Sequence, residues 1–573
     1  MLESFISQKL LSVGPWQALE RAVARLMKHG KFTDVRLVGQ SGDKGADILA
    51  NFHGKRYVVQ VKFRSSGSID LKAVDEVMNA RNIYRADTPI IATNRVFNED
   101  VSKMKDKLSS SGVYLQLWNK GKLMREIDRV DNVSDKLKEA RPYQEEPIAS
   151  IIESIIELDE KRGMVVMATG LGKTFVAAES IRRIRNDHTE RFNKILVIAH
   201  TNPLVYQLER SFWPCLGKND STAIWNGIEK GDLDGAVVTF ACIDSLVSII
   251  TRDGELPVQY DLVLIDEAHH AGSKSYTALI NGIMAGKNNG PYLLGLTATP
   301  WRSDEADLAA IFGRQLCSID IAQGMSAGYL SNVDYRMHVD NVTDWKMVSK
   351  ANKLSPKAIN RTIFIKEWDD AVIDVLSQTW LTVDNPKAIV FCQDIEHAFT
   401  MRDKINSFNF TRAEVIYSGE FNGHKMKPSD RNIALSDFTD GVISVMCAVD
   451  IFNEGIDVPD VNILVFQRVT HSRRIFVQQL GRGLRISPGK DKVIVLDFVS
   501  DIRRFAAGLE LKEKLSHSPR YIELGNPIHF VNKTGEDPRA EAFLKQWLDD
   551  VAAIQDAGEE DYELKFPPDF ETI

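Results

Sequence analysis

The sequence predicts an α/β protein: an N-terminal α/β domain, two tandem doubly wound parallel-sheet domains, and a small C-terminal helical extension ending in an acidic tail. Three observations carry this. Compact β-branched runs, each followed by a turn and a helical pattern, recur as MVVMA, KILVIAH, GAVVTF, DLVLID and YLLGLT, and then again as KAIVFC, AEVIYS, ISVMCA, VNILVF and KVIVLD. Such runs mark buried strands of parallel sheets with crossover helices. Before residue 125 the pattern differs, with one amphipathic helix, short strands and a second helix. Finally, 573 residues with 44% hydrophobic content can fill several cores, at about 100 to 200 residues per domain. The expected divisions are 1–125, a polar linker at 126–140, the sheet domains 141–335 and 336–505 with a helical bridge near 355–383, and the extension 506–573.

The formal net charge is -8, yet residues 1–130 carry 22 Lys+Arg against 14 Asp+Glu, while residues 536–573 carry 12 acids against 3 bases. The basic end suits DNA phosphates; the tail repels them. Five scattered cysteines form no CxxC pair, so reduced thiols are expected. MLESFISQKLLSVG has no basic leader region, and no apolar run reaches about 18 residues, so a cytoplasmic protein is expected.

The first helix carries Trp16, Leu19, Val23, Leu26 and Met27 at helical spacing. ADILANF and RYVVQVKF then read as a hairpin turning at His53 and Gly54. Facing residues sum to 107 in that register, which sets Asp47 opposite Gln60. Within VVQVKF, Gln60 and Lys62 share the face of Val58, while Val59, Val61 and Phe63 point away. Lys62 lies on the diagonal from Asp47, at about 7 to 8 Å. An acid, an amide carbonyl and an ammonium thus converge, with Glu20 a fourth candidate where it borders the helical stripe through Ala24 and Met27. Hard oxygens suit Mg²⁺, and Lys62 can orient a water and stabilise charge on a phosphate. A structural Asp47–Lys62 ion pair is the plainer alternative. TNRVFNEDVSKMKDKL reads as the second helix.

The first sheet domain opens with MATGLGKT, residues 167–174. Here Thr169, Gly170 and Gly172 form a loop whose backbone N–H groups can approach phosphates, Lys173 can reach the β/γ oxygens, and Thr174 can hold Mg²⁺ at a helix N-terminus. Met167 stands where the strict pattern has its first glycine. DLVLIDEAHH places Asp266 and Glu267 at the carboxyl end of a strand, suited to positioning Mg²⁺ and orienting water in an ATPase. In LTATP, Thr297 and Thr299 end another strand, where they can relay nucleotide state. In QQLGRGLR, Arg482 and Arg485 share a helix face and can project toward the triphosphate. Gly455 and Asp457 follow ISVMCA in a loop suited to ribose or to the other domain.

RPYQ, MATGLGKT, AHTNPLVYQ, DEAHH, LTATPWR, NEGIDVPDV and QQLGRGLR occur in that order over residues 141–498. In this the chain resembles the superfamily 2 helicases and translocases, in the DEAH-box, restriction-type branch related to type III Res subunits. The resemblance implies two RecA-like domains, ATP and Mg²⁺ as cofactors, and DNA as partner. It implies adenine reading by Gln144, hydrolysis by Lys173, Thr174, Asp266 and Glu267, and completion of the site by Gln478, Arg482 and Arg485. Coupling would fall to His269 or His270 with Thr297 and Thr299, and nucleic-acid backbone contacts to Thr201 and Thr239. Residues 14–100, through LERAVARLMKHGKF, SGDKGADI, VVQVKF and PIIATNRVF, resemble the Mrr-like branch of PD-(D/E)xK restriction endonucleases. That implies nuclease roles for Glu20, Asp47, Gln60 and Lys62, with Lys44 at a position the branch gives to glycine. The expectation is an ATP-driven DNA translocase fused to an Mg²⁺-dependent endonuclease in restriction or defence. A silent DNA-docking domain on a remodelling helicase, or an RNA helicase, are the rivals.

Overall fold

The computed structural model describes residues 4–38, 45–130, 139–284, 290–298, 308–320, 323–324, 327–340, 368–449, 460–467, 483–484, 486–487, 490, 492–498 and 529–531. The alternating patterns resolve into three main sheets, the first mixed and the other two parallel.

The N-terminal sheet runs in the order β1 (Thr33–Leu37), β2 (Ile48–Phe52), β3 (Lys55–Lys62), β4 (Thr88–Thr93) and β5 (Gln116–Trp118). His53 and Gly54 both take positive φ, 49° and 74°, as a tight hairpin turn that follows the strand twist requires. The resulting β2–β3 register pairs Ile48 with Val59 and Phe52 with Lys55, so the sum of 107 holds. Helices α1 (Gln8–Val13) and α2 (Trp16–His29) precede the sheet, α3 (Leu71–Ile83) and α4 (Glu99–Ser110) interleave with its later strands, and α5 (Lys120–Arg129) follows.

Period-two alternation buries both faces of this sheet. Val59 and Val61 meet Leu19, Val23 and Leu26 of α2 on one side. Leu49 and Val58 meet Ala73, Val74 and Val77 of α3 on the other. Two readings from sequence need correction. Trp16 is 48% exposed rather than part of the stripe. The second helix starts only at Glu99, because Thr93 completes β4 and the Asn98 side chain accepts from the Val101 N–H at 2.9 Å, a side-chain cap that fixes the first turn.

The second sheet, in the order β12-β6-β11-β10-β7-β9-β8, comprises β6 (Arg162–Met167), β7 (Ile195–Ala199), β8 (Thr222–Trp225), β9 (Val238–Cys242), β10 (Leu262–Ile265), β11 (Tyr292–Thr297) and β12 (Gln315–Ile319). Helices α6 (Pro142–Ile152), α7 (Lys173–Asp187) and α8 (Asn202–Phe212) carry its motif residues. The third sheet holds all five strands of the second series, joined by Asn332–Asp340 and His529–Val531. Asn332–Asp340 spans the 335/336 division placed from sequence. Among the described residues no helix is long and apolar enough to cross a membrane.

Two contacts fix the N-terminal domain. Against the second sheet's domain, Arg21 is buried between Glu229, paired at 2.6 and 3.0 Å, and Glu209 at 2.7 Å. Arg25 donates to the carbonyls of Gly217 and Asp220 and stacks on Phe5, while Trp213 joins the N-terminal core. Burial holds the Arg25 guanidinium down to about 10. For Arg21 burial acts the same way, but Glu209 and Glu229 outweigh it and raise the group above its ordinary value. Against the third sheet's domain the contacts are peripheral: Arg56 with Asp440 at 2.6 Å, Arg85 with Asp437 at 3.6 Å, and Asn432 Nδ2 to the Val38 carbonyl.

Candidate functional site

The candidate phosphate loop is shaped by backbone that only glycine adopts readily. Gly170 and Gly172 have φ of 95° and 87°, and Gly172 caps α7, whose first residues are Lys173 and Thr174. A Cβ on Gly172 would lie 2.7 Å from Gln144 Nε2. Gln144 is buried, its Nε2 donates to the Leu171 carbonyl at 2.8 Å, and its Oε1 accepts from the Arg141 N–H at 3.0 Å. In this arrangement Gln144 braces the loop from beneath.

Asp266 follows β10 and Glu267 takes a left-handed conformation at φ 49°. Asp266 is buried, and its Oδ1 has no hydrogen-bond partner. Burial, then the neighbouring Glu267, push its carboxyl up to about 7, against the pull of Lys173 and the Glu267 backbone N–H. A sequestered carboxylate of this kind, facing a lysine, fits a hard divalent cation bound with a triphosphate. His269 Nδ1 lies 3.3 Å from Glu267 Oε2 and 3.1 Å from Thr297 Oγ1. The His270 ring packs against those of His269 and His200, each at 4.4 Å. An acid, an imidazole and a strand-end hydroxyl therefore form one chain, and its imidazole was read from sequence only as one of two histidines.

Thr201 is the N-cap residue of α8 at the carboxyl end of β7. Thr239 is a correction: it lies inside β9, 1% exposed and bonded to Tyr260, beyond the reach of a nucleic-acid backbone. The strand ends three residues later at Cys242, whose thiol burial pushes up. Thr299, Gly455, Asp457, Gln478, Arg482 and Arg485 lie outside the described residues, as do Lys44 and the acidic tail.

In the N-terminal domain, Asp47 and Gln60 meet as the register requires. Asp47 Oδ2 accepts from Gln60 Nε2 at 2.8 Å and from the Val61 N–H at 2.5 Å. Both residues are buried, and Gln60 Oε1 has no hydrogen-bond partner. Among the described residues no three His, Cys, Asp or Glu side chains cluster to hold a metal. The oxygens on offer here are the Asp47 carboxylate and that orphaned amide oxygen, a hard donor pair of the kind Mg²⁺ takes alongside waters and phosphate.

Lys62 shares their face, but its ion-pair partner is Glu76 on α3, at 2.5 Å, in place of the Asp47 weighed from sequence. The reason lies in the layers: the face that carries Asp47, Gln60 and Lys62 is the one α3 covers. Glu20 is half-buried on α2, which packs on the opposite face. Sequence reasoning missed Glu76, because it reads no helix over Leu71–Ile83.

Comparison with known proteins finds three family matches along the chain. Residues 12–127 match the family described as restriction endonuclease, residues 137–302 the type III restriction enzyme res subunit, and residues 370–487 the helicase conserved C-terminal domain. The putative ATP-dependent helicase IRC3 of Saccharomyces cerevisiae is 24% identical over 63% of this chain and 51% of its own length. The type I restriction enzyme EcoAI endonuclease subunit of Escherichia coli is 26% identical over 64% of this chain and 47% of its own. The chain thus spans about half the length of these curated relatives. The ATP-dependent type ISP restriction-modification enzyme LlaBIII, solved bound to DNA, shares the fold with a TM-score of 0.50 at 16% identity, over 95% of this chain and 42% of that one.

Proposed function

We propose that this chain, a superfamily 2 helicase of the restriction-type branch with an Mrr-like nuclease domain at its N-terminus, moves along DNA by ATP hydrolysis and cuts that DNA with the N-terminal domain. Restriction or defence against foreign DNA, in the cytoplasm, is the setting this suits; the five free cysteines accord with a reducing compartment.

The observation that carries the reading is the pairing of Asp47 with Gln60, with the Gln60 carbonyl left open beside it and Lys62 on the same face. Asp47 is fixed by two donors, and Gln60 presents a neutral oxygen next to it. Lys62 offers N–H donors to a phosphate oxygen. Mg²⁺ bound there supplies Lewis acidity toward the phosphate and a water of lowered pKa.

In the motor, the amides around Gly170 and Gly172 and the Lys173 ammonium bind phosphate oxygens, while Thr174 and Asp266 would hold the accompanying Mg²⁺. Glu267 orients the attacking water, and its contact through His269 to Thr297 passes a change at the triphosphate to the strand end where nucleic acid would lie. Gln478, Arg482 and Arg485, with Gly455 and Asp457, are proposed to complete the site from the second lobe.

A second reading has the N-terminal domain hold DNA without cutting it. It draws on the Lys62–Glu76 pair, which occupies the lysine, and on the deep burial of Asp47. The test is ATPase activity against single-stranded DNA, duplex DNA and RNA in parallel, with plasmid incubated in Mg²⁺ with and without ATP. DNA stimulation with nicking supports the proposal, DNA stimulation with no nicks in any condition supports the second reading, and stimulation by RNA alone overturns both. Binding carried by phosphate contacts should weaken steeply with salt.

A further inference from the structure

Lys62 meets a residue from outside its own hairpin, Glu76 of α3. Its Nζ lies 2.5 Å from Glu76 Oε2, with the two side chains 30% and 29% exposed. A pair this exposed adds little stability, at most about 1 kcal/mol; its place in the fold matters more. The Glu76 oxygen that meets Lys62 is itself shielded from solvent, and α3 covers the face shared with Asp47 and Gln60. The backbone of the same residue touches the Asp47 loop. Gly45, two residues before Asp47 and at φ +89°, lies so close that a Cβ there would stand 2.3 Å from the Glu76 carbonyl oxygen and 3.1 Å from its Cα. One position on α3 therefore abuts the acid's loop through its backbone and the lysine through its side chain.

We propose that Glu76 is a positioning residue of the nuclease site. It draws the Lys62 ammonium toward α3 and so keeps it from collapsing onto Asp47, whose Oδ2 is already committed to Gln60 Nε2 and the Val61 N–H. A Lys62–Asp47 pair would neutralise the one carboxylate that the Asp47–Gln60 pair offers a cation. With Glu76 as counter-ion, Lys62 is held off that carboxylate and retains N–H donors for a phosphate oxygen. This rests on the nuclease reading, and the experiment separates the two.

The full-length protein, its Glu76→Gln and Glu76→Asp variants are treated with an amine-reactive reagent without DNA, and labelling at Lys62 is read by mass spectrometry. The same preparations are assayed for plasmid nicking in Mg²⁺ and for DNA-stimulated ATPase, the latter reporting an intact fold. Glu76→Gln is expected to raise Lys62 labelling several-fold and to lower nicking kcat roughly 10- to 100-fold, the scale of a small misplacement of a reacting group. KM for DNA and the ATPase should hold, and Glu76→Asp should fall between. Unchanged labelling, or unchanged kcat, in Glu76→Gln overturns the proposal. A wild-type protein that never nicks, with labelling that still rises, overturns the nuclease reading and the positioning role with it, and leaves a structural ion pair.

Discussion

The two candidate sites of this chain are assembled in opposite ways. In the motor, neighbours in sequence are neighbours in the site: Gly170 to Thr174 form one loop and helix start, and Asp266 and Glu267 are consecutive. A loop that holds phosphates does so largely through backbone N–H groups, so its sequence must set several successive dihedral angles, and a long motif follows. In the candidate nuclease site, Asp47, Gln60, Lys62 and the proposed Glu76 come from two strands and a helix. Side chains alone do the proposed work there, so three positions on a hairpin suffice and the motif is short. Burial differs in its consequence too. The buried Asp266 Oδ1 has no hydrogen-bond partner and its carboxyl is lifted to about 7, whereas Asp47, also buried, is held by two donors.

That contrast implies separable sites, and the largest expected effect tests it. Lys173→Ala should lower ATP hydrolysis by about 10²–10³-fold, the scale of losing a preorganised charge-stabilising group, while nicking measured without ATP persists. Loss of both activities in a folded protein would show that the sites are not independent.

The two interfaces of the N-terminal domain sharpen the comparison next. Arg21→Ala strands Glu209 and Glu229 in a buried interface, where removing one partner costs about 3–5 kcal/mol; Arg56→Ala, at a partly exposed pair, should cost less than about 1 kcal/mol. Denaturant unfolding of each variant measures the difference, and equal losses contradict a domain anchored on the first helicase lobe.

Gln144→Ala removes the brace under the phosphate loop. Removing a buried hydrogen-bond partner costs about 1–3 kcal/mol, so a higher KM for ATP is expected, with kcat changed less; steady-state ATPase kinetics decide it.

The last effect is a pH dependence. Burial, then Arg25, Lys28 and Lys218, hold His29 down to about 4. The folded value lies below the ordinary 6.5, so the neutral ring's contribution is complete above about 6.5 and is lost as pH falls from there toward 4. Unfolding midpoints between pH 7 and 5 should decline in the wild type and flatten in His29→Phe.

Much of the fold was legible because buried parallel strands are uninterrupted β-branched runs. All ten such runs became strands. The strands that went unread are polar-laced and lie at or toward the sheet edges, such as Thr222–Trp225 and Gln315–Ile319, where one side has no neighbour to demand apolar residues. The hairpin register was legible through the turn at His53 and Gly54, and it delivered the Asp47–Gln60 contact. Glu76 was not, since nothing in a strand's sequence says which helix will cover each face. Nor was the burial of Thr239, a polar residue satisfied by Tyr260 inside the sheet. The Arg21 and Arg25 anchors were not legible either, because their acceptors lie some two hundred residues away.

The central claim, two chemistries on one chain, meets its most direct test in Lys62→Ala. Plasmid nicking in Mg²⁺ and DNA-stimulated ATP hydrolysis are measured on the same preparation. The account predicts that nicking disappears while ATP hydrolysis stays at the wild-type rate; nicking at an undiminished rate would contradict it.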